Sequence, residues 1–186
     1  MDVFQVMQSY DALRTSAIEL HFKLIDLWYY DFLSNRRWWV NLGILIIPWI
    51  VWIYLRKKES TDRLLYGGIV AIGITSTLDG IGVEYGLWNY HYNVDPLIPP
   101  FLPFDLSLFP VAIMLSLQYK PKFNPIIKAI IFSLIISFII QPIAVKLLIF
   151  NPKLFKTFYF VPIHIIVYLI IYYVTYKRSN FESLTK

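Results

Sequence analysis

Cysteine is absent from the 186-residue chain, which excludes disulfides, thiolate catalysis and cysteine-ligated metal sites. Lysine and arginine are absent between Arg63 and Lys120, although the same stretch carries Asp79, Glu84, Asp95 and Asp105 among apolar and aromatic residues. Positive charge avoids translocated segments, and an acid within an apolar run is costly and is retained for a structural or functional reason. The stretch therefore reads as two membrane helices joined on the non-cytoplasmic side. Also missing are a Gly-rich phosphate loop, an HExxH pair and a nucleophile elbow, while His21, His91 and His164 are too scattered to indicate a metal site. No metal or cofactor is expected, and hydrolase and nucleotide-binding readings lose support. The first residues are mixed and acidic rather than basic and then apolar, so no cleavable signal peptide is expected. Nor is there an internal repeat of the kind that marks inverted transporter halves.

What is present is apolar surface. The chain is 58% hydrophobic and 18% aromatic, with a mean hydropathy of +0.57, which is beyond an ordinary soluble domain, and its apolar runs are long enough to span a bilayer. The formal net charge is +5, but the cations cluster at the ends of the apolar runs, as orientation in a bilayer requires. Nucleic acid is therefore not an expected partner; the lipid bilayer is. The expected fold is all-α: an integral membrane helical bundle of about five transmembrane helices preceded by an amphipathic amino-terminal helix.

Residues 1–35 form that first unit. Val3, Val6, Tyr10, Leu13, Ala17, Leu20, Leu24 and Leu27 alternate steps of three and four, which puts them on one helical face. The polar face carries Asp2, Asp11, Glu19, Asp26 and Asp31 against Arg14 and Lys23, so it lacks the cationic character of a helix bound to anionic lipid. This helix lies on the membrane surface or against its own bundle, or else it joins a membrane protein partner or a second copy through residues 1–33.

The membrane domain, 36–178, contains spans at about 38–55, 64–83, 101–118, 125–150 and 158–176, and a polar tail follows at 179–186. The first span is bracketed by Arg36 and Arg37 and by Arg56, Lys57 and Lys58, with tryptophans near its ends and Pro48 inside it, where a kink is expected. The second holds Gly67, Gly68, Gly73, Gly80 and Gly82, small residues that let helix backbones approach. Between the second and third spans, Trp88, Tyr90, His91 and Tyr92 are followed by Pro96, Pro99 and Pro100, which predicts a stiff extended loop at headgroup level. The contrast between the basic first loop and the cation-free second places the amino terminus outside the cell membrane and the carboxyl terminus in the cytoplasm.

Counting depth at about 1.5 Å per residue sets Asp79 roughly 6 Å, and Gln141 and His164 about 10 Å, inside the outer ends of their helices. Asn41 lies in the same half, with Glu84, Asp105 and Lys146 nearer the surface. A shared polar pocket beneath the aromatic loop is the economical inference, with Asp79, Glu84, Trp88, Tyr90, Asp105, Gln141, Lys146, His164 and Asn41 as its candidate ligand-binding residues. Each has a plain structural alternative. Asp79 can accept hydrogen bonds within the bundle, Lys146 can snorkel, and His164 can be a satisfied interior histidine. Gln141 can serve backbone groups freed by Pro142, and Asp105 can favour a helix dipole. His91 reads as an interfacial residue.

The run STLDGIGVEYGLWNYHYNVDPLIPPFLPFDLSLFPVAIMLSLQY, Ser76 to Tyr119, with the prolines and Gln141 that follow, resembles a family of small multi-pass membrane proteins from spore-forming Gram-positive bacteria. That resemblance implies a cytoplasmic-membrane protein of five or so helices and carries over no catalytic residues, since the family has no assigned activity. More locally, Asp79, Trp88 with Tyr90, and Pro103 with Asp105 are similar to the membrane-integral carotenoid (lycopene) cyclase domain, whose Pro-x-Glu-Glu motif protonates a polyene. Here the motif reads Pro103, Phe104, Asp105, Leu106, and the paired acid is missing. This second similarity implies Asp79 and Asp105 as acids, with Glu84 as a further catalytic candidate.

Three function classes stand open on these residues. The first is a protein that binds a lipid or small ligand, or serves as a membrane-complex subunit. The second is an intramembrane enzyme using carboxylic acids on an isoprenoid or lipid substrate, and the third is a proton-coupled transporter.

Overall fold

The computed structural model describes residues 2–177; the expected tail at 179–186 lies outside them. The chain folds as an all-α bundle. Helix α1 (Val3–Leu27) runs into a π-helical turn at Trp28–Phe32, and α2 (Arg36–Leu55) and α3 (Thr61–Glu84) follow. A π-helical segment, Phe104–Leu108, leads into α4 (Phe109–Gln118). Helices α5 (Pro125–Ile135) and α6 (Gln141–Lys146) are joined into one rod by a third π-helical segment, Ile136–Ile140, and α7 (Phe160–Lys177) closes the bundle. Four helical stretches are long and apolar enough to cross a membrane: Arg36–Leu55, Lys58–Glu84, Pro125–Lys146 and Thr157–Tyr176.

The third expected span is shorter than the sequence pattern suggests. Its apolar helix is Phe104–Gln118, which at 1.5 Å per residue covers about 22 Å of a hydrocarbon layer about 30 Å thick. It begins deep because the segment before it descends into the bundle, where the Phe101 amide donates to Asp79 Oδ2 at 2.7 Å. The fourth span also ends early. Its helix stops at Lys146, and Phe150–Pro152 forms a strand, β2, antiparallel to Trp88–Tyr90, β1. The expected extended loop is thus a folded plug in which Trp88 pairs with Pro152 and Tyr90 with Phe150. Tyr92 and Leu148 flank this ribbon with φ of 59° and 58°, a left-handed conformation that bulky side chains rarely adopt.

Two ends are thereby defined. At one, α2 starts, α3 and α6 finish, and the ribbon sits across them; Arg37 Nε donates to the Leu147 carbonyl at 2.8 Å. At the other, Gln118 accepts from the Lys57 amide and donates to the Leu55 carbonyl. The connections at that second end carry Arg56, Lys57, Lys58, Lys120 and Lys122.

Glycine governs how α3 packs. A Cβ at Gly68 would stand 2.8 Å from Met114 Sδ, and one at Gly67 would meet the Thr175 hydroxyl. Between helices apolar enough to lie in hydrocarbon, apolar burial gives little drive for association, and close backbone approach is what such packing relies on. Gly73 is different, with open space beside it. Prolines leave their own mark. Pro110 has no N–H for the Leu106 carbonyl four residues back, and that oxygen is instead taken by Trp49 Nε1 at 2.9 Å. Asn124 caps α5, its Oδ1 accepting from the Ile126 amide at 2.9 Å. Asn124→Ala should therefore cost about 1 kcal/mol, seen as a thermal midpoint lowered by a few degrees with the fold retained.

Helix α1 stands largely clear of the bundle, and Leu24 and Leu27 in its last turn share a pocket with the end of α3 and the segment at Pro96–Pro99. None of its residues is buried, which removes the expectation that its apolar face lies against its own bundle. The chain is anchored just beyond it, where the Trp28 indole donates to the carbonyls of Asn93 and Val94.

Candidate functional site

Asp79 is the point from which the site is built. It sits five residues before the end of α3 and is 8% exposed. Its Oδ1 accepts from Trp88 Nε1 and from the Tyr90 hydroxyl, each at 2.7 Å, and its Oδ2 accepts from the Phe101 amide at 2.7 Å. All three donors come from the segment that leaves α3 and returns as the third span, so one carboxyl group fixes the plug in place. Trp88 fits because Gly82 leaves room; a Cβ there would fall on its indole ring. Burial, with the acids of Asp79 and Asp105 beside it, holds the Tyr90 phenol well above the ordinary tyrosine range, so this hydroxyl remains a donor.

Asp105 faces the same place from the opposite side. It is 1% exposed, its carboxyl lies beside that of Asp79, and its Oδ2 is buried without a hydrogen-bond partner. The π-helical segment that carries it, Phe104–Leu108, belongs to a class of backbone irregularity common at functional sites. The sequence places Asp105 nearer the surface than Asp79; the descending loop instead brings the two to one depth. Helix-dipole support alone does not require a fully buried acid with a free oxygen.

Asp79, Trp88, Tyr90, Asp105, Gln141 and His164 line a single cavity of about 230 Å³. Gln141 contributes from the start of α6, its Oε1 buried and unpartnered, so this oxygen is not spent on the backbone around Pro142. His164 is 7% exposed and its Nδ1 lies 3.2 Å from the Ser137 hydroxyl, while Phe109 and Phe160 flank its ring. It is both a bonded interior residue and part of the wall. Leu78 and Ile81 also belong to the lining and are 43% and 50% exposed, so the cavity reaches the flank of the bundle along α3.

The remaining sequence candidates lie elsewhere. Glu84 is exposed and lines a different pocket, of about 290 Å³, beside Leu24 and Pro96–Pro99, because it falls at the very end of α3, beyond the plug. Lys146 is exposed at the end of α6, outside the cavity lining, as a snorkelling residue would be. Asn41 is fully buried on α2, but its Nδ2 donates to the Tyr92 carbonyl at 2.9 Å, so it braces the loop from outside the cavity. The first span thus gives the site no lining residue.

Sequence reasoning missed Phe155 and Phe160, which line the cavity and pack on Trp88 with ring centroids 5.4 and 5.0 Å away. The aromatic density after Pro152 was the available signal. Among the described residues no group of histidines and acids could hold a metal ion. Comparison with protein-family models, curated proteins and solved structures returns no match for this chain.

Proposed function

We propose that this chain is a five-pass protein of the cell membrane that binds an apolar molecule with one polar group in the cavity between α3 and α7. Its amino terminus lies outside and its carboxyl terminus in the cytoplasm. The observation that carries the reading is the convergence of Asp79, Asp105, Gln141 and His164 on one space whose wall is otherwise apolar and aromatic. At about 230 Å³, the space is smaller than the roughly 300–1,000 Å³ of sites that enclose a drug-sized ligand. It suits the polar end of a longer molecule whose chain leaves past Leu78 and Ile81. The basic connections at the opposite end support the cytoplasmic assignment of that end.

A second reading follows from the free Asp105 oxygen, which is where a proton donor acting on an apolar substrate would sit. One experiment separates the two. Native mass spectrometry of protein taken from its own membrane with mild detergent should show an intact bound amphiphile, absent from a folded Leu78→Trp variant whose larger side chain fills the mouth of the cavity from a half-exposed position. Conversion of added substrate by the wild-type protein, lost in Asp105→Asn, would replace binding by catalysis. Tags at the two ends should be accessible from opposite sides of the membrane; tags on one side would remove the topology.

A further inference from the structure

The cavity also limits what its ligand can carry. No lysine or arginine lines it, whereas two acids do. A phosphate- or carboxylate-headed lipid would set like charge against Asp79 and Asp105 in a poorly screened space, and would leave the Asp105 Oδ2 without a donor. Asp79 already accepts from the Trp88, Tyr90 and Phe101 donors, whereas Asp105, beside Asp79 and Thr75, has its Oδ2 buried with no N–H or O–H donor bonded to it.

The other wall is aromatic. Trp88, Phe155 and Phe160 form a mutually packed triangle with centroid separations of 5.4, 5.0 and 4.8 Å, and all three line the cavity. Three aromatic rings and an acid lining one small space favour one chemical group above others: a cation that also carries an N–H.

We infer that the ligand is a protonated amine on an apolar chain, its ammonium hydrogen-bonded to Asp105 and packed on Trp88, Phe155 and Phe160, with its tail leaving the bundle at Leu78 and Ile81. The assignment rests on the proposed binding function and sharpens it. It explains why one buried carboxyl oxygen is left open while its neighbour is filled: the protein supplies donors for one acid, and the ligand supplies the donor for the other.

Equilibrium dialysis of the full chain in maltoside micelles against decylamine, decanol and decanoate tests it, because the three probes share a chain and differ at the head. Decylamine should bind saturably at one site per chain, and decanol and decanoate at least about tenfold more weakly. Asp105→Asn should weaken decylamine by at least about tenfold and decanol by no more than about threefold. Phe155→Leu, at a half-buried position that tolerates substitution better, should weaken decylamine several-fold and decanol little. Equal binding of amine and alcohol, or unchanged amine affinity in a folded Asp105→Asn protein, would overturn the cationic ligand while leaving the cavity as a binding site. Absence of saturable binding by all three would overturn both.

Discussion

Asp79→Leu is expected to destabilise the protein by at least about 4 kcal/mol, enough to abolish a cooperative thermal transition in detergent. Three buried donors, Trp88 Nε1, the Tyr90 hydroxyl and the Phe101 amide, lose their acceptor together. Each stranded donor costs about 1–3 kcal/mol. All three lie on one connection, so the loss acts as a unit and releases the plug. Asp79→Asn is the graded case. Its carbonyl can still serve Trp88 and Tyr90, but its amide faces the Phe101 N–H, donor against donor, and roughly half the loss is expected. Thermal unfolding followed by near-ultraviolet circular dichroism measures both variants. A penalty for the leucine variant below about 1 kcal/mol would mean that Asp79 does not organise this end of the bundle.

Gly82→Ala should cost about 2–4 kcal/mol, the reverse of what helix preference predicts. In a helix interior alanine is favoured over glycine by about 1 kcal/mol. Here the added methyl meets the Trp88 indole. Either the ring moves and its bond to Asp79 breaks, or α3 shifts off its neighbours. The internal comparison is Gly73→Ala, where nothing lies within 4 Å; stability there should stay level or rise by up to about 1 kcal/mol. Side-by-side melting curves of the two variants decide the matter, and equal behaviour would mean that the indole is free to relocate.

These two positions show what the sequence could and could not reveal. The helices were legible because spans in lipid need long uninterrupted apolar runs, and those runs are present. Depth counting from helix ends was sufficient to group Asp79, Gln141 and His164, since all three lie on helices that share an end. It misplaced Asp105, because depth is counted from an assumed boundary and the third helix starts below it. It also drew in Asn41, which shares that half of the bundle but not the direction of the cavity, and Glu84 and Lys146, which lie at the ends of α3 and α6 outside it. Depth along a helix is a one-dimensional quantity; facing depends on rotation, which the π-helical segments at Phe104–Leu108 and Ile136–Ile140 alter by inserting residues into the turn. The ribbon joining Trp88–Tyr90 to Phe150–Pro152 was hidden for another reason. Its strands are three residues long and lie about sixty residues apart, too short for alternation to register.

Tying the second loop to the fourth has a practical consequence. With β1 and β2 paired across that end, the proposed ligand would enter and leave sideways, past Leu78 and Ile81. A molecule using that side door is drawn from the pool dissolved in lipid rather than from water. Its dissociation constant then belongs in mole fraction of membrane, and titrations at different lipid-to-protein ratios should fall on one curve only when plotted that way.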